Sequence, residues 1–187
     1  MSTDSLVDLM EKYKDEYYET QGKNSFFKKS QKIDCAKEIS QSFQLSDMIQ
    51  RTIYYIPNTN KIIFNYPVFK LFANPDNYEN IIQTVIDIYD IILSVYPTIE
   101  THIILDSFTI SAAERYKSVI KLFCNKCMTS QTKYSERLSA MYIYYTPSMM
   151  ESISTLLKPF IDPLVKDRII MYSKAESAEL IKNLHSR

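Results

Sequence analysis

Thr101-His102-Ile103-Ile104-Leu105 is a short, continuous, mainly β-branched run. A strand with one wet face alternates apolar and polar residues, whereas an unbroken run marks a strand buried on both faces of a parallel sheet. Helical patterns flank it. Upstream, Ile81, Ile82, Val85, Ile86, Tyr89 and Ile92 recur at helical spacing, with Gln83, Asp87, Asp90 and Ser94 on the opposite stripe. This predicts a helix over about 77–95, stopped by Pro97. Downstream, Ser111 and Glu114 read as a capping box opening a helix to about Met128.

The alternation continues outward. Ile53–Ile56 and Ile62–Phe64 are β-rich runs around the turn-forming Pro57-Asn58-Thr59-Asn60. Leu138–Tyr145 and Ile169–Tyr172 read as later strands. Between them, Thr146 as N-cap and Pro147 at the first helical position predict a helix that Pro159 stops. Ser173 with Glu176 offers a second capping box, leading to a terminal helix through Leu184. Strand–helix alternation of this kind needs crossover connections. The expected fold is α/β, a mainly parallel sheet flanked by helices, with an N-terminal helical extension. Residues 1–49 form the extension, because Leu6, Leu9, Met10, Tyr13 and Tyr17 have helical spacing and so short a segment buries no core alone. Residues 50–187 form the domain.

Composition removes several function classes. Lys plus Arg equals Asp plus Glu at 22 each, so no bulk field favours nucleic acid. One Gly in 187 residues leaves no way to write a phosphate loop, a dinucleotide fingerprint or a nucleophile elbow. With two His, metal clusters and His-based triads have few residues to draw on. The expectation is a non-enzymatic protein with no catalytic residue, no metal and no cofactor. Met1–Met10 holds Asp4 and Asp8 and has no apolar run, which predicts neither signal nor transit peptide. Three Cys without a secretory signal point to the cytoplasm.

Six segments, in order, carry a family likeness: Ile103-Ile104-Leu105-Asp106, Glu114-Arg115-Tyr116, Tyr134-Ser135-Glu136-Arg137-Leu138, Met141 through Thr146-Pro147, Leu157-Lys158-Pro159-Phe160-Ile161-Asp162-Pro163, and Asp167-Arg168-Ile169-Ile170. Together they resemble the CRAL-TRIO lipid-binding family. Leu157–Pro163 is very close to the family's Lys-Pro-Phe-Leu-Asp-Pro segment. The departures are Ser139 where the family usually has Gly, and Tyr145-Thr146 where it has Asn-Ala. These changes, and the short C-terminus, look more like the divergent branch found beside RhoGAP domains (the BCH type), which includes protein-binding members.

The resemblance implies an apolar cleft above the sheet, closed by a gate helix from Ser148 to about Phe160. Met149, Met150, Ile153, Leu156, Leu157 and Phe160 would supply its apolar side, and Met suits lipid tails of varied shape. It also places Glu136 and Arg168 where phosphatidylinositol-transfer members hold the headgroup, the alternative being a salt bridge between strand ends. The implied function is binding, and transfer, of a glycerophospholipid such as a phosphoinositide, or of another hydrophobic ligand. A protein–protein interaction module with its cleft filled by its own side chains is the alternative.

The remaining motifs are weaker. Phe26-Phe27-Lys28-Lys29, with Lys23 and Lys32, combines aromatics with cations, suiting transient contact with a membrane surface or, equally, a solvated linker. Cys124-Asn125-Lys126-Cys127 lies inside a helix and reads as core packing rather than a redox or zinc motif. His102 reads as a packed, satisfied histidine. Asp87 and Asp90 read as a solvated stripe.

Overall fold

The computed structural model describes residues 3–184. Helices α1 (Thr3–Gln21), α2 (Lys28–Ser42) and α3 (Leu45–Thr52) lead into the hairpin of β1 (Ile53–Tyr55) and β2 (Lys61–Asn65). Asn58 turns the hairpin with a φ of 61°, a left-handed conformation that Asn tolerates better than most residues. Next come α4 (Tyr66–Phe72), α5 (Tyr78–Val95), β3 (Ile99–Ile104), α6 (Ile110–Arg115), α7 (Lys117–Thr129), α8 (Tyr134–Arg137) and β4 (Leu138–Tyr144). The chain closes with α9 (Met150–Leu157), a 3₁₀ turn (Lys158–Phe160), α10 (Pro163–Lys166), β5 (Ile169–Met171) and α11 (Lys174–Leu184).

The five strands lie in the order β1-β2-β3-β4-β5, with β1 antiparallel to β2 and the other neighbours parallel. The mainly parallel sheet flanked by helices is the expected class. β3 sits at its centre, as the unbroken Thr101–Leu105 run predicts. Met10, Cys35, Ile39 and Met48 from α1–α3 are buried in the same core as Ile53, Ile62 and Phe72. The N-terminal helices therefore pack onto the sheet's own core, chiefly through α2 against α4.

Four local readings change. α3 and α4 were not visible in the pattern. α4 is buried nearly all round, through Tyr66, Val68, Phe69, Leu71 and Phe72, so it shows no amphipathic stripe. Its end is closed by buried polar side chains: Asn74 and Asn77 each donate from Nδ2 to the Phe72 carbonyl at 2.9 Å. The helix after β3 is capped by Thr109, whose Oγ1 accepts from the Ala112 N–H at 3.2 Å, not by Ser111. It also breaks at Tyr116 into α6 and α7. Thr146 does not cap α9: its N–H donates to the Tyr172 carbonyl at 3.1 Å, and the helix begins at Met150. The Ser173 cap is formed as expected, with Glu176 accepting from the Ser173 N–H at 2.9 Å.

Candidate functional site

One face of the sheet is built from Ile53, Ile62, Phe64, Ile99, Thr101, Ile103, Met141, Ile143, Ile169 and Met171, and it does not fill the space above it. A cavity of about 330 Å³ lies between this face and helices α5, α7 and α9. That size is at the lower end of the roughly 300–1,000 Å³ usual for ligand pockets. Ile81, Ile82, Val85 and Tyr89 of α5 and Val119, Ile120 and Phe123 of α7 form one wall. The segment after β4 supplies Met150, Ile153, Ser154, Leu157, Ile161 and Val165. Thr101, Ser135, Ser154 and Asp162 bring polar atoms into an otherwise apolar lining, and two of these side chains are already engaged. Thr101 Oγ1 lies 3.2 Å from the Tyr89 hydroxyl, and Asp162 Oδ1 accepts from the Leu164 N–H at 2.9 Å, capping α10. Water in such a space finds few partners, so an apolar occupant is favoured.

Of the six residues expected on the gate's apolar side, Met150, Ile153 and Leu157 reach the cavity. Ile153 is 1% exposed. Met149 is exposed on the surface, and Leu156 is half-buried outside the lining. Phe160 turns to α7, where the ammonium groups of Lys117 and Lys121 lie 5.4 and 5.9 Å from its ring centre. The segment is thus tethered at its far end by cation–π contacts. At its near end Tyr145 takes a φ of 54°, with its N–H donating to Ser177 Oγ at 2.7 Å. The family's Asn belongs at this left-handed position, since Asn adopts that conformation at less cost than Tyr.

Glu136 and Arg168 come together through main chain rather than side chains. Arg168 Nη1 donates to the carbonyls of Ser135, Glu136 and Leu138, gathering the end of α8 and the start of β4. The Glu136 carboxylate is exposed and pairs with Lys133 Nζ at 3.1 Å. Ser135, Leu138 and Ile169 line the cavity, so this cluster stands beside its wall at the amino ends of β4 and β5.

Phe26 is 92% and Phe27 69% exposed, in the loop joining α1 to α2. That loop is fixed from within. Asn24 Oδ1 accepts from both Phe N–H groups at 2.9 Å, and Gln31 bonds Gly22 and Asn24 on the other side. Lys28 and Lys29 open α2 beside it, both exposed.

Cys124 and Cys127 line the cavity, where burial pushes their thiols up to about 11 and about 12. Neutral thiols of this kind pack as small apolar groups. Asp87 accepts from Gln83 Nε2 at 2.8 Å, and Asp90 from the Tyr134 hydroxyl at 2.6 Å, both at the surface.

The reverse face of the sheet is closed by interlocking rings. His102 Nδ1 lies 2.8 Å from the Tyr144 hydroxyl, and Nε2 lies 2.8 Å from Glu100 Oε1. Its ring stacks on Tyr142, which stacks in turn on Tyr172. His102 is the satisfied core histidine expected of it.

The CRAL/TRIO domain model matches residues 58–186. No curated protein matches the chain. Among solved structures, the crystal structure of Sfh5 resembles this one with a TM-score of 0.52 and 13% identity, covering 90% of this chain and 79% of that one. No helix among the described residues is long and apolar enough to cross a membrane.

Proposed function

From the chain's membership of the CRAL/TRIO domain family, a family of lipid-binding proteins, we propose that this protein holds the apolar chain of a glycerophospholipid or similar ligand in the cavity above its sheet. The observation that carries the reading is the unfilled space of about 330 Å³ under Met150, Ile153 and Leu157. Each methylene moved there from water contributes about 0.8 kcal/mol, so even a partly inserted chain binds measurably. No bond chemistry is needed. The open space also favours this reading over an interaction module whose cleft is plugged by its own residues.

The segment from Met149 to Phe160 acts as the removable wall, and release of its Phe160 tether opens the cavity. Arg168 works as a pin between α8 and β5, its Nη1 turned onto the carbonyls of Ser135, Glu136 and Leu138. Phe26 and Phe27 touch the bilayer when ligand is exchanged, supported by Lys28 and Lys29, each cation adding about 1 kcal/mol near an anionic surface.

Native mass spectrometry of the full chain after incubation with mixed phospholipid vesicles tests the proposal. One lipid adduct per chain is expected, and repeated absence of any adduct contradicts it. Arg168→Ala discriminates the roles of that residue. As a pin, its loss lowers stability and weakens all lipids alike; selective loss of phosphoinositide binding would assign it to the headgroup instead.

A further inference from the structure

Three lysines of α7 keep different company. Lys126 Nζ lies 3.1 Å from Glu79 Oε2, an ordinary ion pair. Lys117 and Lys121, one turn apart, instead share the ring of Phe160, their ammonium groups 5.4 and 5.9 Å from its centre. Among the described residues no carboxylate lies within ion-pair distance of either. Both lysines are exposed, and the ring they cover is half-buried.

The contact joins two parts of the cavity wall. Lys117 and Lys121 stand on the helix whose Val119, Ile120 and Phe123 line the cavity, and Phe160 ends the 3₁₀ turn that follows Leu157 of the removable segment. That turn packs on α7. Phe160 is absent from the lining, so its ring holds the segment to α7 without touching a guest. Like charges one turn apart on a helix repel, and the negative face of the ring offsets that repulsion only in part. A ring face also accepts no conventional hydrogen bond, whereas headgroup oxygens satisfy all three donors of an ammonium. An exposed lysine–ring contact is worth no more than the attraction of one lysine to an anionic bilayer. The lysines therefore hold a weaker partner than an anionic surface would give them.

We infer that Lys117 and Lys121 form a contact surface for anionic phospholipid, and that occupying it releases Phe160 and frees the wall segment. The inference rests on the lipid-binding proposal and adds the signal that opens the cavity. Away from a membrane the two lysines latch the ring. At an anionic bilayer they turn to the headgroups, and the freed ring has an apolar interface to enter. The cavity opens where lipid is at hand and stays shut elsewhere.

Two readouts on the full chain test this. The first is the rate of uptake of a fluorescent phosphatidylcholine from vesicles of phosphatidylcholine, alone or mixed with phosphatidylserine. Wild type is expected to load about threefold faster from the mixed vesicles. Phe160→Leu keeps both cations and lacks the ring face, so it loads at the faster rate from both. Lys117→Gln with Lys121→Gln does the same, and Lys117→Arg with Lys121→Arg restores the difference. Equal loading of wild type from the two vesicles overturns the latch and leaves the cavity proposal standing. So does a neutral-vesicle rate no faster in the variants than in wild type, or an arginine pair that behaves as the glutamine pair. The second readout needs neither uptake nor a variant: a fluorine label on the Phe160 ring, followed on adding bicelles with and without phosphatidylserine. Its resonance is expected to shift with the anionic bicelles only; no shift, or the same shift with neutral bicelles, overturns the latch. Should no chain take up lipid from either vesicle, the cavity proposal fails and the fluorine shift decides the contact surface alone.

Discussion

The two faces of the sheet are made from the same strands and solve packing in opposite ways. On the reverse face, His102, Tyr142, Tyr144 and Tyr172 stack, and the hydrogen bonds of His102 to Tyr144 and Glu100 leave no room for a guest. On the other face, Ile62, Ile103, Ile143 and Ile169 look into empty space. Aliphatic side chains carry no directional demands, so they tolerate a changeable neighbour; stacked and hydrogen-bonded rings fix one arrangement. The ring face serves as a rigid back wall, which lets the aliphatic face stay unfilled without collapse of the strands.

Breaking the back wall has the largest expected effect. His102→Ala removes a 2% exposed ring and strands the Tyr144 hydroxyl, lowering stability by about 3 kcal/mol in urea denaturation. The same enlargement made on both faces sharpens the contrast. Ile63 lies on the reverse face at 0% exposure, paired in register with His102, and Ile63→Phe is expected to cost about 2 kcal/mol by overpacking. Ile143→Phe enters the cavity, costs under about 0.5 kcal/mol, and weakens lipid binding by about tenfold. Equal penalties at the two sites would erase the distinction.

The cavity-wall thiols give a pH signature. Unfolded thiols ionise near about 8.5, whereas burial holds folded Cys124 to about 11 and Cys127 to about 12. The folded form keeps protons that the unfolded form sheds, so this contribution is complete below the unfolded value and is lost as pH rises toward the folded ones. Denaturation between about pH 8.5 and 9.5 should show a decline that Cys124→Ala with Cys127→Ala makes shallower, the remainder including buried Cys35, which is likewise pushed up to about 11; an unchanged slope would contradict the burial of these thiols. The smallest effect is at the joint of the movable wall. Tyr145→Asn relieves the left-handed backbone and raises stability by about 0.5 kcal/mol, read as an increase in melting temperature.

What the sequence disclosed follows from which interactions are local. The unbroken Thr101–Leu105 run, the Pro57–Asn60 turn and the Ser173–Glu176 cap each carry their own physical signal, and each element forms where it is expected. Of the six side chains expected on the inner side of the wall segment, Met150, Ile153 and Leu157 line the cavity and Met149, Leu156 and Phe160 do not; Met149 and Phe160 lie outside the helix proper, which runs only from Met150 to Leu157 before a 3₁₀ turn, so helical spacing does not place them. α4 was hidden because a helix buried all round has no stripe, and the cap of α6 was misplaced because Thr109 and Ser111 are both plausible N-caps.

Paramagnetic broadening from a phospholipid spin-labelled on its acyl chain, read on isotope-labelled Ile and Leu methyls, tests the central claim most directly. Loss of the Ile103, Ile143, Ile153 and Leu157 signals with Ile63 left sharp is the predicted result. Broadening of Ile63 to the same degree, or no broadening at any of the cavity methyls, would contradict it.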